Sequence, residues 1–116
     1  MHNANVQTVK RTTTATGKSL WWLISKEMGA PHFELRYLEL KKGESTSGKG
    51  HAWEHEVYVT RGGGEIRGDQ ETIPIREGDA ILILPHEKHE IVNLGEGPLG
   101  FICVIPNGAE DMIKQK

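Results

Sequence analysis

Short apolar runs separated by turn residues organise this chain of 116 residues. Leu20–Ser25, Phe33–Leu40, Glu56–Thr60, Glu65–Arg67, Thr72–Ile75, Ala80–Leu84, Glu90–Asn93 and Phe101–Ile105 read as strands, rich in β-branched, Leu and aromatic residues. Between them, Lys41-Lys42-Gly43-Glu44, Arg61-Gly62-Gly63-Gly64, Arg76-Glu77-Gly78-Asp79 and Gly95-Glu96-Gly97-Pro98 carry the glycines and polar residues of tight turns. Many short strands with regular turns predict an all-β sandwich or barrel. Helix is predicted only at the C-terminal end, over Ala109–Lys114. Ala80–Leu84 and Phe101–Ile105 are apolar at every position, so both faces of those strands are expected to be covered. One face can fill the interior. The other needs a second sheet or a second subunit, and a chain this short has little more sheet to offer, so a homodimer is expected.

The length fits one domain, residues 1–116, and no repeat, low-complexity tract or linker divides it. A net charge of −2, with acids and bases interspersed, excludes the basic stripe of a nucleic-acid groove or a membrane-surface patch. The longest apolar runs are about five residues, against the roughly 20 needed to span a bilayer. The N-terminal Met1-His2-Asn3-Ala4-Asn5 lacks the apolar stretch of a signal peptide. Cys103 is the single cysteine, so no internal disulfide can form. A reducing, cytoplasmic setting is the expectation.

Six histidines carry the candidate chemistry. His2 reads as a terminal residue and His32 as a turn-like strand entry. His51, His55, His86 and His89 flank strands among acids. A lone histidine is more often a solvated surface residue, so their arrangement has to carry the case. His51 and His55 are four apart, about 13 Å in a fully extended strand at ~3.3 Å per residue. Two imidazoles on one metal need donor atoms roughly 3 Å apart, given metal–nitrogen bonds of about 2.0–2.1 Å. The pair can share an ion only if the chain bends between them. The Gly/Ser-rich stretch before His51 permits that bend, and the β-branched, aromatic residues after His55 argue against helix. Within the strand His55, Val57 and Val59 share one face, and Glu56, Tyr58 and Thr60 the other. His55 therefore keeps company with the apolar face.

These residues resemble the cupin superfamily. The stretch from Gly43 to Gly62 is similar to the family's first motif, a glycine, a His-x-His pair, an acid or histidine four or five residues on, then a strand ending in glycine. Trp53-Glu54-His55-Glu56-Val57-Tyr58-Val59 looks like the variant with histidine in place of the glutamate ligand. Gly78, Pro85 and His89-Glu90-Ile91-Val92-Asn93 resemble the second motif. The resemblance covers about residues 33–106 and implies a double-stranded β-helix, the jelly-roll barrel, with a metal inside its mouth. It implies His51, His55 and His89 as ligands. The first histidine of the His-x-His pair falls on Lys49, whose ammonium has no lone pair to donate. His86 occupies a turn position usually held by glycine or asparagine.

Glu56 is the alternative ligand to His55; alternation lets only one of them serve. If not a ligand, Glu56 is a strand-edge carboxylate or a partner of a ligand. Trp53 is expected to wall the mouth or simply to pack there. Cys103 shares a face with Phe101 and Ile105, and would be an oxidation-sensitive neighbour of the metal if that face lines the barrel. One of Arg36 and Tyr37, on opposite faces of one strand, should look inward. Lys49, Trp53, Glu56 and Cys103 are thus the candidate substrate-contacting or supporting residues.

Three neutral imidazoles leave a divalent ion its full charge and open coordination positions. Imidazoles suit Zn, Cu, Fe and Ni, and the expected cofactor is one ion of Fe, Mn, Ni, Cu or Zn. The function implied is a metal-dependent enzyme, oxygenase-like or isomerising, acting on a small organic acid, enol or aromatic compound. The alternative is a non-enzymatic metal- or ligand-binding or sensing cupin.

Overall fold

The computed structural model describes residues 1–109. Among them nine strands run antiparallel: β1 (Thr12–Thr13), β2 (Ser19–Ile24), β3 (Phe33–Leu40), β4 (His55–Arg61), β5 (Gly63–Arg67), β6 (Thr72–Arg76), β7 (Ala80–Ile83), β8 (Glu90–Asn93) and β9 (Leu99–Pro106). One 3-10 turn, Lys26–Met28, interrupts them. A six-stranded sheet has the order β1-β2-β3-β9-β4-β7, and a three-stranded sheet the order β6-β5-β8. The chain is all-β with the jelly-roll arrangement of the cupin fold. The expected barrel is two facing sheets without one hydrogen-bonded ladder running round them. Edge strand β6 carries Pro74, which has no N–H to give a further neighbour.

The period of two along each strand builds the interior. In β3, Glu34, Arg36, Leu38 and Leu40 are buried, while Phe33 on the opposite face is 69% exposed. β9 lies between β3 and β4 and sends Phe101, Cys103 and Ile105 inward. His55, Val57 and Val59 come in from β4, Ile66 from β5, Ile83 from β7 and Ile91 from β8. Arg36, not Tyr37, is the inward residue of its pair.

The Gly62-Gly63-Gly64 triplet is a corner rather than a loop. β4 leaves the large sheet and β5 enters the small one across it, with strand pairing resuming at Gly63. Gly62 has φ +77°, and a side chain there would also collide with the Pro98 carbonyl. A Cβ on Gly64 would sit inside the Val92 carbonyl oxygen.

The expectation for residues 80–84 holds for one face only within this chain. Ile83 is buried, whereas Leu82 and Leu84 are more than half exposed. Strand β1 and the strand-like path of residues 44–48 come in addition to the strands that the sequence predicts. The helix expected over residues 109–114 falls, from residue 110 onward, outside the described residues. Among those described, no helix is long and apolar enough to cross a membrane.

Phe101 is fully buried at the centre of this interior. Phe101→Ala should therefore lower the free energy of unfolding by about 3–5 kcal/mol. Phe33→Ala, on the open face of β3, should change it by no more than about 0.5 kcal/mol. Urea denaturation of both variants checks the assignment, and equal losses would contradict it.

Candidate metal centre

Residues 44–48 run alongside β8 and bring the first histidine to the others. Thr46 N–H donates to the Ile91 carbonyl at 2.9 Å, Asn93 N–H to that of Glu44 at 3.0 Å, and His89 N–H to that of Gly48 at 3.2 Å. The Thr46 hydroxyl accepts from Ile91 N–H at 3.0 Å. Asn93 anchors the far end, its side-chain amide donating to the carbonyls of Leu40 and Gly97. The chain then bends. Gly50 packs against the backbone of His86, where a Cβ would collide, and His86 N–H donates to the His51 carbonyl. His86 holds φ +67°, the left-handed conformation of a turn, and is exposed. His55 opens β4 and His89 immediately precedes β8.

The three imidazoles converge. Ring centroids are 5.2 Å apart for His51–His55, 5.6 Å for His51–His89 and 4.9 Å for His55–His89. One ligand nitrogen from each lies within 4.8 Å of the others, so the cluster could hold a metal ion. His55 and His89 are each 7% exposed, and His51 is half-buried at the rim. Trp53 is buried and stacks on His51, with centroids 4.9 Å apart and planes 5° from parallel.

Hydrogen bonds on the far side of two rings favour metal ligation. His89 Nδ1 lies 2.8 Å from the Glu87 carbonyl. Only a protonated Nδ1 can make that bond, which leaves the lone pair on Nε2. His55 Nδ1 lies 3.3 Å from Cys103 Sγ, and its buried Nε2 has no hydrogen-bond partner among the described residues. A buried polar atom without a partner is uncommon and costly. A metal ion would satisfy it. Burial pushes the His55 pKa down from 6.5 to about 3, helped by the neighbouring His89, Arg36 and His51. His55 is thus neutral at physiological pH, the state a metal ligand needs. The donor set fits a divalent transition metal.

The other sequence candidates divide. Cys103 lies inside, against His55, and the guanidinium of Arg36 donates to its sulfur at 3.3 Å. Lys49 is exposed on the loop before His51. Glu56 is exposed on the opposite face of β4 from His55, so the structure does not bring it to the histidines. His2 and His32 are exposed, far along the chain from the cluster's elements. The sequence alone does not choose between Arg36 and Tyr37, because a strand pattern shows which residues share a face but not which face turns in.

Residues 36–105 match the family model of the cupin domain, and the chain belongs to that family. The polyketide cyclase RemF from Streptomyces resistomycificus is similar over 91% of this chain and 79% of its own, with 29% identity and a TM-score of 0.85. A cupin 2 domain-containing protein from Halorhodospira halophila is 32% identical, covering 89% of this chain and 79% of its own, with a TM-score of 0.73. An uncharacterised protein of Methanocaldococcus jannaschii is 37% identical over 46 residues, 40% of this chain and 37% of that relative's length.

The neutral His55 gives a pH prediction. Between pH 6.5 and about 3 the unfolded chain binds a proton on residue 55 that the folded chain does not. Metal-free protein should therefore lose stability as pH falls through that window, by up to ~1.4 kcal/mol per pH unit from this group. Above about pH 7 the contribution is flat. Urea midpoints of wild type and His55→Gln at pH 7.5 and 5 test it. The variant should show the shallower dependence, and parallel curves would contradict the assignment.

Proposed function

We propose that this chain is a metal-dependent enzyme that binds one divalent transition metal on His51, His55 and His89 and acts on a small, enolisable carbonyl compound or organic acid. The observation that carries this reading is the convergence of three imidazoles, with a buried His55 Nε2 that has no hydrogen-bond partner among the described residues. With the metal bound, such a centre supplies Lewis-acid polarisation of a substrate oxygen, and a redox-active ion would add oxidation by dioxygen. The chain's own residues do the rest. The Glu87 carbonyl holds the His89 proton on Nδ1, and Trp53 holds the rim histidine in place by stacking. The apolar core residues packed around His55 keep water from the cluster, and the Arg36 guanidinium, behind His55 and across the Cys103 sulfur, adds positive charge to the field at the site.

Two observations favour non-redox chemistry over the oxygenase reading. The Cys103 thiol lies within hydrogen-bonding distance of His55, where reactive oxygen would attack it. The similar RemF protein is named a polyketide cyclase. The oxygenase reading rests on the open positions that three ligands leave to a redox metal, and the carrier reading on the same ligands without turnover. Metal content of purified protein, followed by solvent-deuterium exchange into enolisable ketones and oxygen uptake with enols and catechols, separates the three. Exchange without oxygen uptake supports the proposal. Oxygen uptake supports the oxygenase, and a tightly held metal with neither activity supports the carrier.

Single His51→Ala, His55→Ala and His89→Ala replacements should each strip the metal, whereas His2→Ala and His32→Ala should retain it. Elemental analysis of the five proteins is the measurement. Full retention by His89→Ala would place the metal elsewhere.

We also propose that the chain works as a homodimer, joined through the outer face of β4, β7 and β9. Tyr58 is 49% and Leu82 56% exposed there, and with Glu56, Ile102 and Val104 they line an open groove of about 330 Å³. A stable interface would bury more than about 1,000 Å² in total. Sedimentation equilibrium at micromolar concentration should give twice the 12.9 kDa of one chain. Leu82→Glu should halve that mass, and a monomeric wild type would refute the proposal.

A further inference from the structure

Behind His55 a line of polar contacts crosses three adjacent strands. Arg36 on β3 is the direct cross-strand partner of Cys103 on β9, and Cys103 is in turn the partner of Val57 on β4, two residues beyond His55. All three side chains face the interior, with Arg36 and His55 7% exposed and Cys103 3%. Arg36 Nη2 lies 3.3 Å from Cys103 Sγ, and the sulfur 3.3 Å from His55 Nδ1. Because β9 is flanked by β3 and β4, its backbone groups are spent on the two ladders. The strand beside His55 therefore offers its ring a side chain and not a backbone group.

The two tautomers of His55 differ in what they leave buried. If the thiol donated to Nδ1, the imidazole proton would sit on Nε2, a buried donor without a hydrogen-bond partner among the described residues. If Nδ1–H donates to sulfur, Nε2 carries a lone pair. Sulfur has lone pairs for a second donor besides Arg36, so the second arrangement is compatible with that contact. It also repeats the arrangement at His89, where the Glu87 carbonyl accepts a hydrogen bond from Nδ1–H.

We propose that Cys103 and Arg36 are positioning residues for His55: the Cys103 sulfur, held from β3 by the Arg36 guanidinium, accepts a hydrogen bond from Nδ1–H and leaves the Nε2 lone pair as the one offered to the metal. This rests on the three-histidine metal reading above. Partners of this kind fix ring orientation and tautomer, and their loss typically weakens metal binding 10- to 100-fold.

Zinc serves as the probe. Its affinity is measured by chelator competition at neutral pH for wild type, Cys103→Ala and Cys103→Ser, with urea denaturation of each as a folding control. Histidine ring ¹⁵N spectra of wild type and Cys103→Ala, with and without zinc, report the His55 tautomer. The expected results are a zinc dissociation constant raised about 10- to 100-fold in Cys103→Ala, recovery of most of that loss in Cys103→Ser, and an Nδ1–H tautomer in zinc-loaded wild type. A folded Cys103→Ala that binds zinc as tightly as wild type overturns the inference alone. So does zinc on His55 Nδ1. If Cys103→Ala fails to fold, the serine variant and the wild-type tautomer still decide: weak binding by a folded Cys103→Ser, or an Nε2–H tautomer with zinc bound, overturns it. A wild type that takes up no zinc overturns the metal reading and this inference together.

Discussion

The histidine cluster depends on the seating of residues 44–48 along β8. His51 and His89 come from distant parts of the chain, and a glycine- and serine-rich segment such as 45–50 has high entropy when free. Backbone hydrogen bonds from Thr46, His89 and Asn93 remove that freedom, with the Thr46 hydroxyl adding a fourth tie and the Asn93 amide fixing the end of the strand. His51 then leaves a fixed point, and the contact of Gly50 with the His86 backbone sets the direction of the bend. A residue with a side chain at position 50 would push the two loops apart and carry His51 away from its partners.

Electrostatics follow from where the rings are placed. Burial keeps His55 neutral, and the adjacent rings and Arg36 oppose a proton further. On the proposed reading, three neutral ligands leave a divalent ion its whole charge, and the guanidinium behind His55 adds to the positive field. Such a centre favours an anionic oxygen ligand, a carboxylate or enolate, over a neutral one. Lys49, two residues before His51, is exposed on the loop, where solvent screens its charge.

Much of this was legible in the chain because the strand period is two and glycine marks corners. The run from His55 to Val59 showed that His55 and Glu56 cannot face the same ligand, and the structure puts Glu56 outside. The run from Phe33 to Leu40 alternates just as clearly, yet its aromatic and apolar residues fall on both faces, so only the packed structure shows Arg36 inside and Phe33 out. The pairing of residues 44–48 with β8 was not readable, because Glu44-Ser45-Thr46-Ser47-Gly48 has only Thr46 as a strand former and no alternation of apolar and polar positions. Its conformation is imposed by a neighbour far along the chain. The glycine triplet signalled a turn, but its use as a corner between sheets depends on the Pro98 and Val92 carbonyls, which no local pattern reveals.

The same alternation ties the interior to the outer surface. In β4, His55 and Val57 point to the cluster while Glu56 and Tyr58 point to the groove, and in β9 Cys103 faces inward between Ile102 and Val104, which line the groove. β4 is held on one side by β9 and on the other by the short edge strand β7, whose Leu82 lies on the open face. If a second copy covers that face, it clamps β7 and β4 from outside and stiffens the strand that carries His55. Metal affinity and self-association would then be coupled through strand order rather than through any residue shared by the two sites.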